Sequence, residues 1–214
     1  MDEEFPVAPG GNTPESSPTG GSATLSGRIC VSMSLVDLRS CRSSNLAGYR
    51  VQLGDQSATT DIGGNFTMDS PTGAPGSFTI SGSGAVTTTT PYTASFGTLP
   101  VIDADVYARA LASNQIFGSA GTGAILGNIT RGGSPASNLT VTSDPRGAYS
   151  PLYDAEGTGF AGNATGARGV FWLPGIAAGT TNLRFSDAAG GETTVAGVQV
   201  VNGGVTILDS LVMP

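Results

Sequence analysis

From residue 23 onward the apolar residues fall in short groups at alternate positions, separated by stretches of Gly, Ser, Thr and Asn. Tyr49, Val51 and Leu53 alternate cleanly with Arg50 and Gln52, and Leu25, Ile29, Val31 and Met33 give a less regular apolar face. A period of two predicts strands with one buried face. On this basis strands are expected over 23–33, 48–53, 65–68, 77–81 and 92–96 in the first half. In the second half they are expected over 124–130, 139–143, 170–173, 181–186, 193–201 and 205–213. Asp61-Ile62-Gly63-Gly64-Asn65 is turn chemistry, because Gly and Asn accept a positive φ. Asn202-Gly203 between two β-branched runs predicts a hairpin. The run Val86-Thr87-Thr88-Thr89-Thr90 is β-prone but polar, so an edge or exposed strand is expected there.

Residues 103–116 break this pattern. Val106, Ala110 and Leu111 share one helical face, Asp103 is placed to cap the first turn, and Asn114 lies near the end. One short helix is expected. Capping and the helix dipole account for Asp103 and Asp105 better than a metal does. The elements predict an all-β fold: two tandem Greek-key-type antiparallel β-sandwiches, with the helix near the domain junction and an extended N-terminal arm. The divisions are an arm at 1–22, a first sandwich at 23–117, a Gly-rich linker at 118–123 and a second sandwich at 124–214. In the second core, Phe171, Trp172, Leu173, Leu183 and Phe185 are the expected large members.

Residues 1–22 contain four Pro and no apolar periodicity, which is linker composition. Three readings are open: a disordered tail, a tether from a lipid-modified residue expected ahead of Met1, or a segment that docks on a neighbouring subunit with Phe5 and Val7 as anchors.

Composition narrows the function classes. Charged residues make up 12% of the 214, and Gly contributes 33. All nine basic residues are Arg, against sixteen acids, giving a net charge of −7. This balance lacks the basic footprint of a nucleic-acid binder. No run reaches the ~18 apolar residues of a membrane-spanning helix. The chain has no His and no Lys, so Ser-His-Asp, Cys-His and Ser-Lys sites are excluded. The carboxylates Asp144, Asp154, Glu156, Asp187 and Glu192 are scattered through turns and read as solvated. No catalytic residue, cofactor or metal ligand is expected.

Cys30 and Cys41 are the chain's two cysteines. A disulfide closing a short loop is the preferred reading and two buried thiols the alternative. The disulfide implies an oxidising compartment, hence an exported protein. Tyr149, Tyr153, Asp154 and Glu156 lie in the Gly-rich stretch 144–169, expected as a long loop and the place to seek a ligand such as a glycan. Of four Asn-x-Thr triplets, those at Asn138 and Asn163 are the better glycosylation candidates.

The two halves share a layout. Each opens on a strand with Gly-x-Ile (Gly27-Arg28-Ile29, Gly127-Asn128-Ile129) and later has a Gly-turn before Phe (Phe66, Phe171). Thr59-Thr60-Asp61-Ile62-Gly63-Gly64-Asn65-Phe66-Thr67 and Phe171-Trp172-Leu173-Pro174-Gly175-Ile176-Ala177-Ala178-Gly179-Thr180 resemble turns of the carboxypeptidase-regulatory-like, or prealbumin-like (transthyretin-like), β-sandwich family. The resemblance spans most of 23–214. It implies non-catalytic accessory modules found on secreted enzymes, surface lipoproteins and adhesive structures. The expectation is therefore a non-enzymatic extracellular or cell-surface structural or adhesive protein that associates with itself or a surface protein through its arm and edge strands. The alternative is a surface-tethered module that binds a glycan or peptide through 144–169.

Overall fold

The structure is a computed structural model, and it describes residues 23–72, 76–93, 96–155 and 159–213. The docking-arm anchors Phe5 and Val7, and Glu156, lie outside the described residues.

The protein is all-β with one helix. The first half contains β1 (Thr24–Ser32), β2 (Arg50–Leu53), β3 (Gln56–Thr59), β4 (Asn65–Asp69), β5 (Ser77–Ser81), β6 (Ala85–Val86), β7 (Thr88–Pro91) and β8 (Thr98–Asp103), followed by α1 (Ala104–Ser113). The second half contains β9 (Thr122–Arg131), β10 (Ser134–Pro135), β11 (Leu139–Asp144), β12 (Leu152–Asp154), β13 (Phe160–Gly162), β14 (Val170–Ala177), β15 (Gly179–Asp187), β16 (Glu192–Val200) and β17 (Val205–Met213).

Both halves repeat one pairing scheme. In the first, β1 runs antiparallel to β4 and parallel to β8; in the second, β9 runs antiparallel to β14 and parallel to β17. The facing layers are β2-β5-β7 in one half and β11-β15-β16 in the other, both antiparallel. The sandwiches are therefore not purely antiparallel, since each opening strand has a parallel neighbour.

The halves are also not separate bodies on a string. β17 pairs in parallel with β7 at Val205↔Thr88 and Thr206↔Thr89 while it pairs with β9 on its other side. This makes one sheet of ten strands through both halves, in the order β13-β12-β14-β9-β17-β7-β5-β2-β3, with β10 attached to β9. The stretch expected as a linker, 118–123, is built into this joint. Thr122 and Gly123 already belong to β9, the Gly121 N–H donates to Asn202 Oδ1 at 3.0 Å, and Ala178 N–H donates to the Gly121 carbonyl at 2.8 Å.

The same pairing corrects the Thr-rich run. Thr88, Thr89 and Thr90 are buried in the interior strand β7, because the last strand of the chain covers the edge they were expected to form. Residues 94 and 95 of the strand expected at 92–96 lie outside the described residues, and the strand found nearby is the earlier β7. Its last residue is Pro91; beyond it the Tyr92 N–H still donates to the Gly76 carbonyl at 3.1 Å, and Tyr92 and Phe96 pack against Phe78, with centroids at 5.7 and 4.7 Å.

Three cores result. One lies inside the first sandwich (Ile29, Val51, Phe66, Phe78, Val101) and one inside the second (Ile125, Val141, Phe171, Leu173, Phe185). The third covers the back of the β9-β14-β17 layer. There Leu35, Leu38, Ile102, Val106 and Ile116 pack on Leu126, Trp172 and Ile207. Phe171, Leu173, Leu183 and Phe185 fill the second core as expected, but Trp172 faces the third. Val170 through Pro174 are all buried, so this strand is enclosed on both faces, and adjacent residues enter different cores.

Candidate functional site

The third core is held by two elements of the first half. The disulfide Cys30–Cys41 joins β1 to the loop that follows it and closes a loop of sequence separation 11, which carries Leu35 and Leu38 onto the back of the second sheet and also buries Val36. Helix α1 lies beside it. Asp103 caps the helix, its Oδ1 accepting from Asp105 N–H at 3.0 Å and Val106 N–H at 3.1 Å. Arg42, next to Cys41, reaches the other carboxylate oxygen with Nη1 at 3.2 Å and donates from Nη2 to the Tyr49 hydroxyl at 2.7 Å. Loop, helix and first sandwich are tied together at this point. The cap is legible in sequence. The Arg42 partner is not, because it lies 61 residues away.

Between loop and helix runs a groove of about 530 Å³. Its apolar wall is Met33, Leu35, Val36, Val106, Ala110 and Phe160, and Arg109 is the one charged residue among those lining it. Met33 is 45% exposed there, although the face it belongs to is otherwise buried. Beneath the groove, Trp172 packs between Tyr107 and Phe160, with centroids at 5.8 and 5.3 Å. Among the described residues Trp172 Nε1 has no hydrogen-bond partner. Burial pushes the Tyr107 hydroxyl up to about 12.

The expected ligand stretch 144–169 is not one long loop, since it contains β12 and β13. Tyr153 is 5% and Asp154 1% exposed, which removes both as ligand-facing groups. The Tyr153 hydroxyl donates to the Val141 carbonyl and accepts from the Val141 N–H, the latter at 2.8 Å. Burial raises its pKa. Asp154 accepts from the backbone N–H groups of Gly166 (2.8 Å), Arg168 (2.9 Å) and Val170 (2.9 Å). It organises the turn before β14. Polar side chains in Gly-rich sequence often serve buried backbone groups in this way, and composition alone does not reveal it.

Tyr149 is half-buried, and its hydroxyl is held by the Phe117 N–H and carbonyl, both at 2.9 Å. With Arg146, Pro151 and Ile176 it borders a cleft of about 360 Å³. The two glycosylation candidates, Asn138 and Asn163, are both exposed. Thr165 of the second triplet is buried and donates to the Ala136 carbonyl at 2.8 Å. Asp61 and Asp187 are turn acids at the surface. Hydrogen bonds from the Asn65 side chain lower the Asp61 pKa, and the Gly191 backbone does the same for Asp187. Among the described residues no cluster of three Asp, Glu or Cys side chains is placed to hold a metal ion.

No family model matches the chain, and no curated protein matches it. A solved structure, the Bacillus anthracis TIE protein, aligns with 88% of this chain and 33% of its own at 12% identity, with a TM-score of 0.25. The chain thus spans about a third of that protein's length, and the overlap is too low to indicate a common fold.

Proposed function

We propose that this is a non-enzymatic extracellular or cell-surface structural protein, built from prealbumin-like modules, that associates with copies of itself. The observation that carries the reading is an open edge. Among the described residues β16 extends over nine residues, pairs only with β15, and has Glu192 as its single charge, with one bulge at Ala196–Gly197. Edges of this length normally carry charges or Pro that deter pairing, so a long, nearly uncharged one favours use as an interface. The disulfide supports an oxidising compartment. Among the described residues no helix is long and apolar enough to cross a membrane.

Sedimentation velocity and negative-stain microscopy on the full chain test the reading. Oligomers or filaments are expected. The exposed edge variant Ala196→Lys should dissociate them if β16 takes part. A chain that stays monomeric at high concentration overturns self-association. A second reading, a glycan- or peptide-binding module, rests on the Tyr149 cleft, and titration with glycan and peptide panels addresses it.

A further inference from the structure

We infer that the groove between the disulfide loop and α1 is the receptor for the acidic–apolar segment Asp2-Glu3-Glu4-Phe5-Pro6-Val7 of a neighbouring copy. This rests on the self-association proposed above and names its contact.

The groove is apolar on both sides and has a single cation, Arg109, exposed on the outer face of α1. Among the described residues Arg109 makes no ion pair. A chain of net charge −7 here presents an apolar trough with a positive rim. The segment 2–7 is complementary: three consecutive carboxylates followed by Phe and Val, with Pro6 favouring an extended backbone. Phe5 and Val7 match the apolar Met33–Phe160 wall, and the acids are opposite in charge to Arg109.

The placement of the arm exit and the groove is compatible with a contact between copies. The described chain starts at Ala23, at one end of β1, and the groove starts at Met33, past the other end. Nine residues of strand span roughly 30 Å. Residues 8–22, between that segment and Ala23, are rich in Pro, Gly and Ser; fifteen residues reach at most about 50 Å, so reach alone does not choose between a chain's own groove and a neighbour's, and the mixing experiment below does. Arm exit and receptor at opposite ends make a head-to-tail contact, which continues into a filament unless the rotation closes.

Full-length chains carrying Phe5→Asp (arm altered, groove intact) or Arg109→Glu (groove altered, arm intact) test this by sedimentation velocity, with circular dichroism verifying the fold. Each alone should weaken self-association at least tenfold. Mixed in equal amounts they should form one-to-one complexes that do not grow, since one usable arm and one usable groove remain. Combining Arg109→Glu with Glu3→Arg and Glu4→Arg in one chain should restore assembly. If the wild type associates but neither variant matters, the inference fails while self-association stands. If the wild type is monomeric, both fail. If the wild type is monomeric and Phe5→Asp shifts the emission of Trp172, the arm occupies its own groove and the contact between copies is wrong.

Discussion

Phe171 stands opposite Gly127 across the β9–β14 ladder, and its ring lies where a side chain on residue 127 would go, 2.4 Å from an ideal Cβ position. The first half repeats the arrangement, with Phe66 opposite Gly27 and its ring 2.7 Å from the corresponding point. An aromatic ring folded over a cross-strand glycine covers the backbone that the glycine leaves bare. The Gly-x-Ile and Gly-turn-Phe repeats are thus two ends of one contact. Gly127→Ala should destabilise by about 1–3 kcal/mol through overpacking, read as a lower urea midpoint at unchanged slope. Phe171→Ala should cost about 3–5 kcal/mol. In the double variant the overpacking cost should vanish, and the cycle would show non-additivity.

Asp154 serves three backbone donors with two oxygens. Asp154→Ala should leave the buried Val170 N–H without an acceptor and the part-buried Gly166 and Arg168 N–H groups short of one, lowering stability by about 2–3 kcal/mol. Asp154→Asn keeps one acceptor oxygen and turns a donor toward the Arg168 N–H, so a smaller loss is expected. Chemical denaturation of both variants measures the difference, and equal losses would contradict this role.

Reduction of Cys30–Cys41 should destabilise the protein by about 3 kcal/mol, the magnitude for a loop of this length in the chain-entropy treatment. Because the loop covers the core around Trp172, the chain's single Trp, its emission should shift to the red in the Cys30→Ser/Cys41→Ser double variant. A change in stability with unmoved emission would mean that the loop stays seated without the bond.

Tyr107 supplies an alkaline signature. Its hydroxyl titrates at 10.0 when unfolded and at about 12 when folded, because burial disfavours the phenolate. The folded value is the higher one, so the contribution is fully present below pH 10 and is lost as pH rises from 10 toward 12. Tyr107→Phe should flatten part of that decline relative to wild type; Tyr153, also raised, accounts for another part. At acid pH the sign reverses for Asp61 and Asp187. Their folded values lie below 3.8, so what they contribute is present above 3.8 and lost as pH falls beneath it.

Local chemistry was readable from the chain. Alternation located β2, β4 and β5, the Asp103 cap located α1, and the spacing of Cys30 and Cys41 suggested their bond. These depend on residues close in sequence, where period, φ preference and side-chain reach act without the rest of the molecule. The hairpin expected at Asn202-Gly203 does not form, because β16 pairs with β15 while β17 crosses to the other sheet and pairs with β9 and β7. The short β12 and β13 escaped notice because three residues carry too little periodicity, and β8 because burial on both faces leaves it no alternation.

Tertiary structure decided the remainder. A period of two says which residues share a face but not which strand lies alongside, and that choice depends on burying surface far apart in sequence. The pairing of Thr88 with Val205 turned a polar run into an interior strand and merged two sheets into one. The same assembly enclosed β14 on both faces and sent Trp172 and Phe171 into different cores. It also drew Tyr153 and Asp154 inward to serve backbone groups, and left the groove beside Arg109 where two halves of the chain meet.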